Sequence, residues 1–365
     1  MINFLPIFKP KVSFLPVQFI IKKFLIIILF INIINSFYNS NSKAETIDDY
    51  GIISLMYHRF DENKYPSTNI RMGDFKEHIY TIKNEGIEFV NPKDFESNLK
   101  KNKKRKILLT IDDGFLSFYE KAWPFLKENK IPFILFVSTR EVGKKGYMDW
   151  SQIKEIYKSE LGFIGNHSHS HEYLVDEDLN LIKKDLLKSM SIFKKELGSN
   201  STFFSYPFGE YSNIFKKIVS ELKFKYAFGQ HSGVIFESDN MLELPRFPIN
   251  EKYGKQDRFK TILKTLPLKY EKIFPEERYI YEKDNPPKVF IEFSNDLRNL
   301  KSINCFSNEE DKWRNSKIKF KSENELEIIL QGKFVTERGR INCSLREKNG
   351  FYRWLGLQFV IAEIN

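Results

Sequence analysis

Short apolar segments alternate with amphipathic segments between residues 52 and 250. The apolar segments have the length and composition of buried strands, and they cover residues 52–57, 106–111, 132–138, 161–166 and 202–207. The segments between them space their apolar residues as helices do, at 115–129, 151–159, 176–197 and 211–222. This alternation predicts an α/β fold built on a parallel sheet, either open or closed into a barrel.

The pattern changes after residue 265. Residues 266–287 contain prolines and mixed charges and are typical of a linker. From residue 288 onward only strand-like segments occur, among them "VFIEF", "ELEIIL" and "WLGLQFVIAEI". We therefore predict an α/β domain at 45–265, a linker at 266–287 and a small all-β domain at 288–365, the last near the low end of the usual domain range.

The first 44 residues differ from the rest of the chain. Lys22 and Lys23 precede an apolar segment at 24–34, and Ser42 and Ala44 are small residues at the positions that a signal peptidase reads. The apolar segment is short for a membrane-spanning helix, which needs about 20 residues. We interpret residues 1–44 as a signal peptide and expect export to a periplasmic or extracellular location. An uncleaved segment that anchors the protein is the alternative, and it would be the protein's one contact with a membrane.

The charge of the chain argues against nucleic-acid binding. The formal net charge is +10, but residues 1–44 contain five lysines and no acidic residue, so the remainder carries +5. This excess is too small and too dispersed for a nucleic-acid-binding protein. The basic segment "KKNKKRK" at 100–106 is typical of a solvated loop. The two cysteines, Cys305 and Cys343, could pair after export or could remain as two buried thiols.

Polar motifs follow three of the predicted strands. Asp112 and Asp113 come directly after 106–111, the "HSHSH" motif with His167 and His171 follows 161–166, and "PFG" at 207–209 closes 202–207. Asp113-Gly114 alone could be a turn, but adjacent carboxylates raise each other's pKa unless a cation lies near. Histidines and carboxylates are ligands for zinc-type metals. Since parallel strands end at one edge of a sheet, we predict a metal site there, with His169 pointing elsewhere.

Together, "TIDDG", "HSHSH" and "SYPFG" resemble the three signature motifs of the polysaccharide deacetylase (NodB-homology) superfamily, in the expected order. The resemblance implies a deformed (β/α) barrel that removes N-acetyl groups from a polysaccharide by metal-dependent hydrolysis. It leaves open whether the polymer is chitin-type, peptidoglycan or poly-N-acetylglucosamine, and it leaves the oligomeric state open. The family usually binds Zn²⁺.

The resemblance also implies a role for each residue of the motifs. Asp112 would be the general base, and the backbone N–H of Phe208, which follows Pro207 in the third motif, would help to hold the oxyanion. The implied metal ligands are Asp113, His167 and His171.

Two residues that the family pattern leads us to expect are missing from their usual positions, and other residues of this chain are candidates to replace them. The third motif usually begins with an arginine that orients the base, but Ser205 occupies that position, and Arg246 in "LPRFPIN" is the candidate substitute, with a surface arginine as the alternative. The catalytic acid is expected to be His58, because "SLMYH" resembles the circularly permuted branch of the family, which includes poly-N-acetylglucosamine deacetylases. His231 is the second candidate for the acid, and His78 is expected to be structural.

Two other functions remain open on the sequence alone. A barrel that has lost activity could serve as a carbohydrate-binding protein, and Ser205 in place of the arginine keeps this alternative open. An esterase that removes O-acetyl groups would use the same residues. The intact pair of aspartates and the intact histidine motif favour the N-deacetylase.

Overall fold

The computed structural model of the protein describes residues 50–100 and 103–362. The predicted signal segment at 1–44 therefore lies outside the described residues. Within these two ranges, no helix has both the length and the apolar composition that crossing a bilayer requires.

The first part of the chain forms a curled sheet of nine strands in which parallel pairing dominates. The strands of this region are β1 (Ile52–Tyr57), β2 (Arg59–Phe60), β3 (Asn69–Ile70), β4 (Glu88–Phe89), β5 (Lys106–Ile111), β6 (Phe133–Val137), β7 (Gly162–Asn166), β8 (Phe203–Ser205), β9 (Tyr226–Phe228), β10 (Val234–Ile235) and β11 (Phe247–Pro248). The central order of the sheet is β10-β1-β5-β6-β7-β8-β9, with β4 added on β5 and β11 on β1. The two remaining short strands, β2 and β3, pair with each other.

Helices connect and cover these strands, and the largest apolar core lies between the two. The helices are α1 (Met72–Asn84), α2 (Phe95–Lys100), α3 (Trp123–Glu128), α4 (Trp150–Lys158), α5 (Leu179–Leu197), α6 (Asn213–Glu221) and α7 (Gln256–Ile262). Residues 244–248 bridge the two ends of the curled sheet: Leu244 pairs with Phe228 at the end of β9, and β11 pairs with β1. The sheet is therefore a deformed half-barrel, as the sequence predicts.

The C-terminal part is rich in strands, which form two sheets. The strands are β12 (Thr265–Pro267), β13 (Tyr270–Phe274), β14 (Tyr279–Ile280), β15 (Val289–Phe293), β16 (Asn304–Ser307), β17 (Arg314–Asn315), β18 (Lys317–Phe320), β19 (Glu325–Ile329), β20 (Arg338–Arg346) and β21 (Tyr352–Ile361). One sheet has the order β12-β21-β20-β16-β17 with β14 on β21, and the other has the order β13-β15-β19-β18. Side chains from both sheets share one apolar core. We call residues 265–362 the β-region.

The prediction of a linker at 266–287 is wrong. This segment contains β13 and β14 and most of β12, and all three strands pair with strands of the β-region. Proline and charged residues are typical of linkers, but they are also tolerated on edge strands, so they do not distinguish the two. The β-region therefore begins where α7 ends, without a free connector.

A disulfide joins Cys305 and Cys343. The two residues are direct partners in the antiparallel pair of β16 and β20, and both are buried in the core of the β-region. The alternative of two separate buried thiols is therefore wrong. On β16 the neighbours alternate, so that Phe306 points to the opposite face from Cys305.

The β-region packs directly against the half-barrel. Leu355 forms a bridge with Gly233, and the Gln358 amide donates to the Gly209 carbonyl at 3.3 Å. At Gly356 the two backbones approach so closely that a Cβ atom would lie 2.3 Å from the Ser232 carbonyl oxygen, which explains the glycine. The β-region is consequently positioned beside the carboxyl edge of the barrel strands.

Candidate active site

Four parallel strands of the half-barrel end in residues that can carry chemistry. β1 leads into His58, β5 into Asp112 and Asp113, β7 into His167, and β8 into the 207–209 turn. Because these strands run in the same direction, their carboxyl ends meet at one edge of the sheet. The sequence motifs thereby become neighbours, although His58 and the 207–209 turn are 149 residues apart in the sequence.

Asp113, His167 and His171 converge on one point. The Nε2 atoms of His167 and His171 lie 3.4 Å and 3.2 Å from Oδ1 of Asp113. The three ligand atoms all lie within 4.8 Å of one another. Two imidazoles and one carboxylate at this spacing are a donor set that could hold a divalent metal ion and leave a position open for water or substrate.

Two features of these residues fit a bound cation. Oδ1 of Asp113 is buried and accepts no well-aligned hydrogen bond from any described residue. Nδ1 of His167 lies 2.7 Å from the Ser205 carbonyl oxygen, to which it donates, so that its Nε2 lone pair faces Asp113. A buried acceptor without a donor and an imidazole held in the ligand tautomer both suit a divalent metal.

The protonation state of Asp113 also fits a bound cation. Burial alone would raise the pKa of Asp113, but the imidazoles of His167 and His171 outweigh it and hold that pKa well below its usual value. For His171, burial lowers the pKa and the Asp113 carboxylate raises it, with a net rise. Asp113 is therefore a carboxylate at neutral pH, as a metal ligand must be.

Unusual backbone conformations occur at the same residues. Asp113, Ser168, His171 and Phe208 all have positive φ angles, between 54° and 75°. Such conformations are unfavourable for residues other than glycine, and they cluster at functional sites. The carboxylate of Asp185 on α5 helps to fix the histidine loop, since it accepts the backbone N–H groups of residues 169 and 170 at 2.7 and 3.0 Å. No sequence motif identified Asp185.

Asp112 lies beside the ligand cluster in a fully buried network. Arg246 donates from Nη1 to Oδ1 of Asp112 at 2.7 Å and from Nη2 to the Ser205 hydroxyl at 2.9 Å. The Ser205 hydroxyl donates in turn to Oδ2 of Asp112 at 3.2 Å. Burial would raise the pKa of Asp112, but Arg246, with His167 and His58, lowers it overall. Arg246 is completely buried, so the alternative of a surface arginine is wrong.

The remaining histidines separate into two groups. His58 and His231 both line the cavity that contains the ligand cluster. His78 is buried on α1, where its ring stacks on Phe259 at 3.9 Å and contacts the Tyr57 hydroxyl at 3.1 Å, so its partners are structural. His169 points away from the cluster, and its Nδ1 lies 2.8 Å from the Thr139 hydroxyl.

The cluster opens into a cavity of about 580 Å³. This volume lies within the range of roughly 300–1,000 Å³ that ligand sites have. The ring of Phe208 lines the cavity 4.7 Å from the His171 ring and stacks on Tyr173 at 4.1 Å. The opposite wall comes from the β-region and includes Phe306, Trp313 and Arg340. The sequence analysis did not identify these last three residues, because no motif links them to the barrel.

These features define a class of protein: a half-barrel of parallel strands with an aspartate–histidine–histidine metal-type cluster at its carboxyl edge. The family profile described as "Polysaccharide deacetylase" matches residues 99–227, which contain all three motifs. The chain thus carries a polysaccharide deacetylase domain, and the resemblance drawn from the motifs is confirmed.

Known relatives extend this similarity beyond the matched segment. The chain is 25% identical over 226 residues to a poly-beta-1,6-N-acetyl-D-glucosamine N-deacetylase of Staphylococcus aureus strain MSSA476, covering 58% of this chain and 76% of that protein. It is also 25% identical over 243 residues to the protein of the same name from Staphylococcus epidermidis, covering 62% of this chain and 80% of that protein.

Solved structures share the fold of the half-barrel. The structure of IcaB from Ammonifex degensii superimposes with a TM-score of 0.55 at 26% identity, covering 59% of this chain and 98% of that one. The Streptococcus pyogenes deacetylase PplD in complex with acetate has the same fold, with a TM-score of 0.54 at 23% identity over 59% of this chain and 99% of that one.

Proposed function

We propose that this protein is a metal-dependent hydrolase that removes N-acetyl groups from a polysaccharide containing N-acetylglucosamine. The observation that carries the proposal is the Asp113–His167–His171 cluster beside the arginine-held carboxylate of Asp112 in one cavity. Since the relatives are named for poly-β-1,6-N-acetyl-D-glucosamine, we infer that this polymer is the substrate.

We infer that Asp113, His167 and His171 hold a divalent ion, and their donor set favours Zn²⁺. When bound, such an ion supplies Lewis acidity, which makes water a better nucleophile and polarises a carbonyl group. Asp112 takes the proton of the attacking water, and Arg246 with Ser205 holds that carboxylate in place. The backbone N–H of Phe208, oriented by Pro207, donates to the developing oxyanion.

In the overall reaction, the water oxygen bonds to the acetyl carbon while the carbon–nitrogen bond breaks. Acetate and a free amine are the products. The leaving nitrogen needs a proton, and we assign its donor to His58, which lies at the end of β1 on the same edge as Asp112.

The two candidate acids have different electrostatic surroundings. Burial lowers the pKa of His58 overall, and the nearby carboxylates of Asp113 and Asp112 oppose part of that shift. Burial lowers the pKa of His231 to about 3, and the positive charges of Arg278 and Arg246 add to the effect. His231 is therefore the less suitable proton donor, because its charged neighbours disfavour the imidazolium form, whereas the two carboxylates near His58 favour it.

His58→Ala is expected to lower turnover by about 10²–10⁴-fold with metal still bound, because it removes an acid and not a ligand. The basic limb of the pH–rate profile should flatten as well, since the loss of the acid form limits the wild type on that side. His231→Ala is the matched control and should have a mild effect. Steady-state kinetics with metal analysis would check both variants, and the reverse ranking would refute the assignment of His58.

We also propose that the protein is exported. The Cys305–Cys343 disulfide supports an oxidising compartment, since such bonds are rare in proteins of the cytosol. Residues 1–44 would supply the export signal.

A panel of polymers tests the proposed function. Purified protein loaded with Zn²⁺ would be incubated with poly-β-1,6-N-acetylglucosamine, chitin oligomers, peptidoglycan and an O-acetylated polysaccharide. We expect acetate and new amine in equal amounts from poly-β-1,6-N-acetylglucosamine. Acetate without new amine would identify an esterase instead. No release from any polymer by the loaded protein would favour a binding protein that has lost activity.

A further inference from the structure

The cavity of the candidate active site is closed on one side by the β-region. β16, β20 and β21 contribute Phe306, Arg340 and Trp354 to a lining that also contains Asp113, His167 and His171. The deacetylase family profile ends at residue 227, so this wall lies outside the matched segment. A ligand that extends through this cavity from the cluster therefore also contacts the β-region.

Two aromatic rings of this wall are partly exposed. Phe306 is 41% exposed and Trp313 is 50% exposed, so both rings are accessible to a ligand. Both line the cavity. Phe306 on β16 pairs across the sheet with Asn315 on β17, and Trp313 directly precedes β17, so the two residues lie on adjacent segments of the β-region.

Strand pairing and a disulfide position the backbone of Phe306. Cys305, the residue before Phe306, is joined by the disulfide to Cys343, and Phe306 itself is paired with Asn342 on β20. Asn342 also lines the cavity and accepts from the Trp354 indole N–H at 3.4 Å. The Phe306 ring therefore lies next to polar groups that can form hydrogen bonds. A pyranose ring offers the matching chemistry, with an apolar face of C–H groups and a rim of hydroxyl groups.

The charge of the lining restricts which sugar ring would fit. Asp113 is the one acidic residue that lines the cavity within the described ranges, and Arg258, Arg338 and Arg340 line it as well. Arg338 forms a salt bridge with Glu210, whereas the Nε of Arg340 donates to the neutral Gln358 amide at 3.3 Å. A positively charged ammonium group is disfavoured in these surroundings, while a neutral acetamide is not.

We propose that Phe306 and Trp313 of the β-region form a binding subsite for a second, N-acetylated sugar ring of the same polymer chain. This inference rests on the proposed function and extends it, because the reacting ring alone needs no wall beyond the barrel. The β-region then selects polymer over monomer. It also selects neighbouring rings that still carry their acetyl group over rings that have become amines.

Kinetics with two substrates test the subsite. Trp313→Ala and Phe306→Ala would be compared with wild type on a fully acetylated β-1,6-linked N-acetylglucosamine hexamer and on monomeric N-acetylglucosamine. We expect the KM for the hexamer to rise about threefold to tenfold in each variant, with kcat unchanged and the monomer reaction unaffected. Tyr281→Ala is the matched control, since Tyr281 is an exposed aromatic residue of the β-region (58% exposed) that does not line the cavity. An unchanged hexamer KM in both variants, or equal losses on both substrates, would overturn the subsite.

Direct binding separates this inference from the proposed function. Isothermal titration calorimetry of the chelator-treated protein with the hexamer needs no turnover. Weaker binding by Trp313→Ala, but not by Tyr281→Ala, supports the subsite even if the wild type releases no acetate, whereas equal binding by all three proteins overturns it. The fully deacetylated hexamer should bind more weakly than the acetylated one, and equal or tighter binding would refute the selection by charge.

Discussion

Replacement of His167 by alanine is expected to abolish metal binding and acetate release together. His167 is one of the three proposed protein ligands, and its Nε2 lies 3.4 Å from the Asp113 carboxylate. Its other nitrogen is fixed by the Ser205 carbonyl group at 2.7 Å, so that the imidazole is prepared for a metal before one binds. Alanine removes both the ligand and this preorganisation. His171→Ala should have the same effect.

Metal content measured by mass spectrometry on purified variants checks this expectation. His169→Ala is the matched control, because His169 belongs to the same motif but contacts the Thr139 hydroxyl instead of the cluster. The control should retain wild-type metal content. Full metal occupancy in His167→Ala or His171→Ala would contradict the assignment of these residues as metal ligands.

Asp112→Asn is expected to retain the metal and to lose about 10²–10⁴-fold in turnover. The amide has nearly the shape of the carboxylate but cannot accept the proton of the attacking water. The change also leaves the buried guanidinium of Arg246 without its anionic partner, at 2.7 Å in the wild type. A lower thermal midpoint should therefore accompany the kinetic loss, since an unpaired buried charge is strongly destabilising.

The test of Asp112→Asn combines single-turnover kinetics, metal analysis and a thermal melt of the same preparation. The expected combination is bound metal, a lower midpoint and very slow acetate release. Wild-type turnover with metal bound would mean that the roles of Asp112 and Asp113 are wrongly assigned.

The half-barrel and the ligand cluster could be predicted from the sequence for one physical reason. The strands are buried on both faces, so each is a short apolar segment, and the predicted segments at 52–57 and 106–111 coincide with β1 and β5. The active-site side chains follow these segments directly. Since parallel strands end together, the order of motifs along the chain was enough to place His58, Asp112 and His167 at one edge.

Strand ends do not identify the long-range partners of the site. The family resemblance made Arg246 a candidate, with a surface arginine as the alternative, because Arg246 lies 134 residues after Asp112 and only the curl of the sheet brings its guanidinium to that carboxylate. The wall of the cavity depends on how the β-region packs, which alternating apolar residues in its strands do not specify. The prediction of a linker at 266–287 was wrong for a related reason. Edge strands tolerate prolines and charges, so local composition does not distinguish edge strands from loops.

The most direct test of metal-dependent N-deacetylation at this cluster is the release of amine from poly-β-1,6-N-acetylglucosamine before and after metal removal. Wild-type protein would be assayed as loaded with Zn²⁺, after chelation to a metal-free state verified by elemental analysis, and after addition of one equivalent of Zn²⁺. We predict amine release that disappears on chelation and returns with the single equivalent, while His167→Ala stays inactive throughout. Undiminished release by the metal-free protein would contradict the proposed site.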